Sequence, residues 1–301
     1  MSNPISDDVK NSQCLWIVIP VHNRRELTAR CLRALACQET DYDYSVVVVD
    51  DGSTDGTSEM IKQEFPDTAI VYGDGNLWWT GSTRKGIDHV LEKCSPNDAV
   101  VLLNDDTIVK PDFIQNLRVA SEKNPDTLIG SVVLDINQPE HITDGGCQIN
   151  WRNAKWTPLN HGRNLAEFPD DHIESVSSLT GRGVLIPVEV FDCVGLYNNQ
   201  HFPQHGDMEF PIRAARAGYR LIVDYRCKVF CHHDLAGDIN EKKRYQINEV
   251  WDMLTNARSY FNLRERFWFA FKTRKDFVQF VSFYCCDIFR VSFHICRRIS
   301  L

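Results

Sequence analysis

The chain has 301 residues, 43% hydrophobic, 25% charged and 11% aromatic, with a formal charge of −8 at neutral pH. That composition excludes wholesale disorder, collagen-like repeats and a long coiled coil, and the length suffices to bury a core without disulfide staples. Eleven scattered cysteines with no CxxC pair indicate neither a secreted disulfide framework nor an ordinary zinc module, and reduced, mostly buried thiols in a cytoplasmic protein are the better reading.

The first fifteen residues are polar and acidic, without the basic start and apolar stretch of an export signal. The longest apolar stretch, Phe277 to Phe289, is interrupted by Gln279, Ser282 and Asp287 and is shorter than the ~20 residues that span a bilayer. Residues 264–301 carry eight Lys/Arg against three acids, so the rest of the chain is strongly acidic. An acidic body argues against a nucleic-acid partner, while a basic, aromatic tail suits an anionic membrane surface.

Strand-like and helical patterns alternate through the first third. Leu15 to Pro20 reads as a strand before a helix from about Arg24 to Cys37, and Tyr44 to Asp50 as a strand before a helix from about Thr54 to Phe65. Further strands are predicted at Ala69 to Tyr72 and Ala99 to Leu103, on either side of a helix near Thr83 to Lys93. Continuous apolar strands separated by helices predict a parallel sheet covered on both faces, with ligands at the carboxyl ends of the strands. A helix from Pro111 to about Lys123 and a strand near Thr127 to Asp135 come next, then a stretch of loops and short strands through about Asp171. Ser175 to Pro187 reads as a strand, Asp207 to Ala217 as a helix ended by Gly218, and Leu221 to Val223 and Val229 to His233 as strands.

The three strong strands end in Pro20-Val21-His22-Asn23, Asp50-Asp51-Gly52-Ser53 and Asn104-Asp105-Asp106-Thr107. Convergence of these ends would make one site. Acids at the end of a buried strand are costly to desolvate without compensation, and a divalent cation is one compensation. Asn104-Asp105-Asp106 offers oxygen ligands suited to magnesium or manganese held jointly with phosphates, although a turn or capping pair before Pro111 fits the same spacing. Asp50-Asp51, in an Asp-Gly-Ser-Thr-Asp-Gly run, carries the same two readings. His205, Asp207 and Glu209 stand at a helix start, where capping explains carboxylates. The other reading makes Asp207 a general base for an attacking hydroxyl, oriented by His205 and Arg213. Cys227, Cys231, His232 and His233 surround a short strand, whose alternation opposes a closed four-ligand metal site.

Taken together, IPVHNR at 19–24, VVVVDDGSTDGT at 46–57, LLNDDTIVKPDFI at 102–114, GRGVLIPVEVFDCVGLYN at 181–198 and HGDMEFPIRAARAGY at 205–219 resemble the family 2 glycosyltransferases. The resemblance covers roughly Leu15 to His233. It implies a GT-A fold, an α/β class with a mostly parallel central sheet flanked by helices, here followed by a C-terminal helical tail. It also implies inverting transfer of a sugar from a nucleoside-diphosphate donor to a hydroxyl of a glycan or lipid-linked glycan, in cell-surface polysaccharide assembly.

Position by position, the resemblance implies that Pro20, His22, Asn23 and Asp51 line the nucleotide pocket, with Asp51 facing the base and Asp50 supporting the turn. Asn104 opens an NDD version of the family's DxD motif, in which Asp105 lies near the donor sugar or ribose and Asp106 binds the metal. Asp207 matches the catalytic base, and His232 a further metal or diphosphate contact. The His-x-Asp-x-Glu pattern resembles the rhamnosyltransferase-like branch, making rhamnosyl transfer one expected activity. Such a reaction needs a deprotonated acceptor hydroxyl on one face and a neutralised leaving group on the other, roles for Asp207 and for magnesium or manganese at Asp106.

The stretch GDGNLWWTGSTRKG at 73–86 has Asn- and Gly-rich counterparts close to the donor in such relatives, so Gly75, Asn76, Gly81 and Lys85 are expected in the pocket. Trp78 and Trp79, read as lying on an exposed loop, would offer flat faces to a sugar ring; packing in the core or a lid is the alternative. Asp144-Gly145-Gly146 and Arg182 fit the acceptor side, or a turn and a surface salt bridge.

The chain therefore divides into a transferase domain over 1–240, with a nucleotide-binding half at about 14–110 and an acceptor half at about 111–240, and an extension over 241–301. In that extension Phe277, Phe280, Phe283 or Tyr284, and Ile288 recur at helical spacing between basic ends. An interfacial helix, a face packed on the catalytic domain and a homodimer face are the three readings. The expected setting is cytoplasmic, peripheral on the inner face of the cell membrane, with nucleotide sugar and glycan as partners and no nucleic acid. Two rivals differ in class. A sugar nucleotidyltransferase calls for a Gly-rich phosphate loop where HNRRE stands, and a non-catalytic sugar-binding module has no use for the acidic triplet and Asp207.

Overall fold

Runs of valine and isoleucine, whose branched side chains suit a pleated surface, build the centre of the sheet. Strands Leu15–Val21 (β1), Tyr44–Asp50 (β2), Ala69–Tyr72 (β3) and Ala99–Leu102 (β4) lie parallel in the order β3-β2-β1-β4. Helices Arg25–Ala36 (α1), Thr57–Glu64 (α2) and Trp78–Leu91 (α3) connect them. Successive strand residues face opposite ways, so these apolar strands feed two cores. Ile17 and Ile19 pack with Leu32 and Ile61 on one face, and Val18 and Val49 with Ile87 and Val90 on the other. The computed structural model describes residues 13–231 and 245–298.

Past β4 the sheet is mixed rather than parallel. Thr107–Val109 (β5), helix Phe113–Lys123 (α4), Thr127–Asp135 (β6), Ile142–Asp144 (β7) and the hairpin Cys147–Asn150 (β8) and Lys155–Pro158 (β9) follow in sequence. Ile173–Ser175 (β10) and Val184–Pro187 (β11) are short strands, and Val188–Val194 (α5) and Gly206–Arg216 (α6) lead into Arg220–Cys231 (β12). Strand β11 inserts antiparallel between β4 and β6, while β12 runs parallel to β6, giving the order β10-β12-β6-β11-β4-β1-β2-β3. The expectation of a parallel sheet thus holds for β1 to β4 and for β6 with β12.

Three boundaries depart from the local pattern. Helix α3 begins at Trp78, five residues before the predicted start, so Trp78 and Trp79 sit on its first turn and not on a loop. Of the strand predicted over Ser175 to Pro187, only β11 and the last residue of β10 are extended in the sheet; residues 176–183 form a loop. At Gly183 φ is +78°, and a Cβ would stand 2.6 Å from Ser131 Oγ and Val229 Cγ2, so a side chain there meets both strain and crowding. Finally, the two strands predicted around Val223 and Val229 are one, β12, with a shift of register between Asp224 and Lys228.

Of the C-terminal helices Ile247–Thr255 (α7), Leu263–Lys272 (α8) and Phe277–Cys296 (α9), α8 and α9 dock onto the β8–β9 hairpin and α6, while Met253 of α7 packs with Val291 and Ile295 of α9. Trp156 packs on Phe269 and Trp151 on Phe283, with centroids 5.3 and 5.4 Å apart. The inward row of α9 is Phe283, Asp287, Val291 and Ile295, where Asp287 is neutralised by Arg266 at 2.6 Å. Phe277, assigned to the apolar face by spacing alone, points to solvent with Val278, Phe289 and Phe293. No helix among the described residues is long and apolar enough to cross a membrane.

Candidate active site

Because β1, β2 and β4 are parallel neighbours, their carboxyl ends share one edge. The Asp51 amide donates to Val21 O at 2.9 Å and the Gly73 amide to Asp50 O at 2.8 Å, binding the turns to one another. Asp50 is buried and accepts from the Ser53 amide within the turn and from the Ser58 hydroxyl. Both oxygens of Asp51 are engaged, Oδ1 by the Gly75 amide at 2.8 Å and Oδ2 by the amides of Leu77 and Trp78 at 2.9 and 3.2 Å. The carboxylate therefore shapes the 73–78 loop and holds Trp78 at a positive φ of 58°.

Pro20 is buried within β1, whereas His22 and Asn23 are exposed just past its end. His22 Nδ1 bonds Asp51 O at 2.6 Å, and Asn23 Oδ1 accepts from the Thr54 amide at 2.7 Å. Gly75 and Asn76 are exposed on the neighbouring loop. Lys85 lies on α3 and donates its ammonium to Tyr72 O, at the root of that loop. Gly81 is buried on α3 against Leu77 and Asn199.

The acidic triplet is organised by a residue with no assigned role at the sequence level. Arg24, at the head of α1, donates to Asp105 Oδ1 at 3.0 Å and to Asp106 Oδ2 at 3.2 Å. Burial pushes the Asp105 carboxyl up to about 7, with Arg24 opposing and Asp106 adding to the rise. The remaining oxygens, Asp105 Oδ2 and Asp106 Oδ1, are buried without a hydrogen-bond partner among the described residues. Two orphaned carboxylate oxygens on a buried strand end fit a hard divalent cation. Among the described residues no group of three or more His, Cys, Asp or Glu surrounds such a position, so other ligands would come from phosphate or water. His232 lies outside the described residues, while Cys227 and Cys231 are buried on β12.

Asn104 is tied down through its side chain, Oδ1 accepting from Trp79 Nε1 at 2.9 Å. Trp79 is half-buried and meets Tyr197 edge-on at 6.1 Å, so it packs inside the site wall. Trp78, 40% exposed, stays open on the surface.

The antiparallel β11 brings a second group of residues to the same edge, since the Gly183 amide bonds Leu102 O at 2.8 Å. Asp144, Trp156, Arg182, Asp207 and Tyr260 line a cavity of about 180 Å³. Burial raises the Asp207 carboxyl above its ordinary value, opposed by the Gly181 amide, His205 and Arg182. Gly181 donates to Asp207 Oδ2 at 3.1 Å. Burial disfavours the charge of Arg182, and the nearby Asp106 and Asp144 carboxylates favour it, with a net rise above the ordinary arginine value. Arg182 thereby links the acidic triplet electrostatically to the cavity. Arg213, expected beside Asp207, instead forms a two-pronged pair with buried Glu209 and bonds the carbonyls of Val194 and Leu196. Arg24, Tyr260 and the α8 residue Glu265, which pairs with His205, escaped sequence reasoning; only the basic run after β1 hinted at the first.

A central sheet covered by helices on both faces, with acids at the end of β4 and a carboxylate at the α6 start, defines a GT-A-type protein. Solved structures share this fold: GalNAc-T7 with UDP, GalNAc and Mn2+ has a TM-score of 0.59 and 17% identity over 74% of this chain and 44% of that one. A mannosyltransferase from Pyrobaculum calidifontis in complex with GDP-Man and Mn2+ has a TM-score of 0.54 and 16% identity, over 93% of this chain and 70% of that one. The family model for glycosyl transferase family 2 matches residues 16–176, and the chain belongs to that family. Among curated relatives, an undecaprenyl-phosphate 4-deoxy-4-formamido-L-arabinose transferase of Pseudomonas fluorescens is 30% identical over 126 residues, 40% of this chain and 35% of that protein. An N-acetylglucosaminyl-diphospho-decaprenol L-rhamnosyltransferase of Mycobacterium tuberculosis is 25% identical over 214 residues, 64% of this chain and 68% of the relative. The alignment thus spans about a third of the first relative and two thirds of the second.

Proposed function

We propose that this chain is an inverting, divalent-cation-dependent glycosyltransferase that moves a sugar from a nucleoside diphosphate to a hydroxyl of a glycan or lipid-linked glycan. The observation carrying this reading is the meeting at one sheet edge of the orphaned Asp105 and Asp106 oxygens with the cavity that contains Asp207. Names of relatives that act on lipid-linked sugars favour such an acceptor, and the rhamnosyltransferase favours rhamnose among the donors to try.

In this reading residues 14–110 hold the nucleotide, with Pro20, His22, Asn23 and the Asp50–Asp51 turn as its floor, and Gly75, Asn76, Trp78 and Lys85 at its margin. The acceptor enters the cavity of the later half, 111–240. Asp207 Oδ2 is held by Gly181, while Oδ1 receives no hydrogen bond from another described residue, so Oδ1 is the oxygen that takes the acceptor proton. Magnesium or manganese bound at Asp105, Asp106 and the donor phosphates would supply neutralisation of the leaving diphosphate. Arg182 adds positive charge between the two carboxylate groups, and Trp79 holds Asn104 in place. In-line attack by the acceptor then inverts the anomeric centre without a covalent enzyme intermediate.

The extension over 241–301 leaves Phe277, Val278, Phe289 and Phe293 exposed on α9, with Arg290 and Arg297 beside Phe293. Apolar side chains interleaved with cations suit an anionic lipid surface, which would place the site at the cytoplasmic face of the membrane. All eleven cysteines are unpaired, in keeping with a reducing compartment.

The test is calorimetric titration of the purified protein with UDP, dTDP, GDP and CDP, each with manganese and with EDTA, followed by transfer assays with sugars on the nucleotide that binds. Tight binding of one nucleotide only with manganese is expected. Binding of none would remove the support for a donor site.

A further inference from the structure

The family model ends at residue 176, well before the C-terminal helices, yet the segment joining α7 to α8 stands against the turn that bears Asp207. Tyr260 lines the cavity, and its ring centroid lies 4.6 Å from that of His205. Arg258 sits over the Trp78 ring, 5.3 Å from its centroid, on the donor-loop side. Glu265, in the first turn of α8, accepts from His205 Nδ1 at 2.7 Å.

Glu265 is 8% exposed and His205 9%, and a carboxylate at such depth needs a partner. Helix capping does not account for it, because Asn262 is the cap, its Oδ1 accepting the Glu265 amide at 3.0 Å. Among the described residues Oε1 of Glu265 has no hydrogen-bond partner, so the bond of Oε2 to His205 is the polar contact that this buried side chain makes with them.

His205 is in turn the residue on which the base-bearing helix starts. Its carbonyl accepts the Met208 amide at 3.2 Å. On the next residue, the Gly206 amide donates to Thr80 Oγ1 at 3.0 Å, and a Cβ at Gly206 would stand 2.5 Å from Thr80 Cγ2. The turn is thus clamped by α3 on one side and by the His205 ring on the other. Facing it are Arg182 and Tyr197 towards Asp207, and Tyr260 and Glu265 towards His205.

We propose that Glu265 is a positioning residue for the transfer reaction: by fixing the His205 ring it holds the His205–Gly206–Asp207 turn in the geometry that proton removal requires. The C-terminal extension is then a working part of the acceptor site, with Tyr260 as its wall. Glu265 itself touches no substrate. This inference rests on Asp207 being the base of the proposed transferase.

The experiment uses the intact chain with manganese and four donors, UDP-glucose, UDP-N-acetylglucosamine, GDP-mannose and dTDP-L-rhamnose, and measures nucleoside diphosphate release with water as acceptor. Glu265→Met keeps the volume and removes the acceptor of the histidine bond, whereas Glu265→Gln keeps an oxygen for it. Expected is a fall in kcat of about tenfold to a hundredfold for Glu265→Met at a donor KM within about twofold of wild type, largely restored in Glu265→Gln. Unchanged kcat in Glu265→Met, or a loss confined to KM, overturns the proposal. Amide exchange of Gly206 to Met208 is read in parallel: faster exchange in Glu265→Met, reversed in Glu265→Gln, supports the clamp, and equal exchange overturns it. Should wild type release nothing from all four donors, the transferase reading loses its support, and the exchange result decides the clamp alone.

Discussion

Trp79 Nε1 donates to Asn104 Oδ1 at 2.9 Å, joining the first turn of α3 to the acidic triplet at the end of β4. The same indole lies against Gly181, whose amide holds Asp207; a Cβ there would stand 2.3 Å from Trp79 Cζ2. Both halves of the site thus lean on one ring. Gly181→Ala is expected to displace it, with a stability loss of about 1–3 kcal/mol from overpacking and a fall in turnover larger than that loss explains. Thermal denaturation and kcat on the same preparation check this; wild-type values for both would mean the ring yields freely.

Replacing Asp207 by asparagine keeps its shape and its acceptor for the Gly181 amide while removing the base of the proposed reaction. Transfer is expected to fall by about 10²- to 10⁴-fold, with manganese-dependent nucleotide affinity unchanged. Unaltered turnover would remove Asp207 from the mechanism.

Burial raises the Asp207 carboxyl, and the Gly181 amide, His205 and Arg182 oppose the rise. If Asp207 is the base it works deprotonated, so kcat is expected to fall as pH drops through this raised value, giving an acid limb above the ~3.9 of an ordinary aspartate. His205→Gln removes one of the opposing influences and is expected to move the limb to higher pH. A pH profile of kcat for both proteins measures the shift, and a limb in the same place would contradict the assignment.

Arg24 is the cation that compensates Asp105 and Asp106 in the chain itself. Arg24→Met leaves two buried carboxylates facing each other, at a cost of about 1–3 kcal/mol after allowance for the partial exposure of the arginine. Manganese is expected to restore most of that stability, so the difference in Tm between manganese and EDTA should be wider in the variant than in wild type. In Asp106→Asn the manganese effect on Tm and on nucleotide binding should vanish.

The outer face of α9 exposes Phe289 at 71% and Phe293 at 54% beside Arg290 and Arg297. Sedimentation with phosphatidylglycerol vesicles is expected to carry down the wild-type chain more than phosphatidylcholine vesicles do, and Phe289→Ser with Phe293→Ser to weaken that several-fold, consistent with the lost burial of two aromatic rings. Equal recovery with both lipids and both proteins would assign this face to another partner.

The amino-acid sequence alone determined the β1 to β4 core, the polar ends of its strands and the carboxylate at the start of α6. Apolar runs of strand length, glycine at helix ends and acids after valine-rich strands are local signals, and parallel strands joined by helices bring their carboxyl ends to one edge as a matter of geometry. The order of five motifs was likewise enough to identify the family. Tertiary structure decided what those ends do to one another: Arg24 bonded to both acids, Trp79 turned inward onto Asn104, Asp51 spent on its own loop, and Arg182 brought in by an antiparallel strand. The bond between His205 and Glu265 spans 60 positions of chain. Residue periodicity reports which face of an element is apolar, but it carries no record of which polar groups from distant elements meet, because topology and side-chain rotamers set that pairing. In the tail, spacing marked α9 as amphipathic, yet the row that turned inward contained Asp287 and left out Phe277, because Arg266 on α8 neutralises the acid and the neighbouring helix, rather than hydrophobicity alone, chose the face.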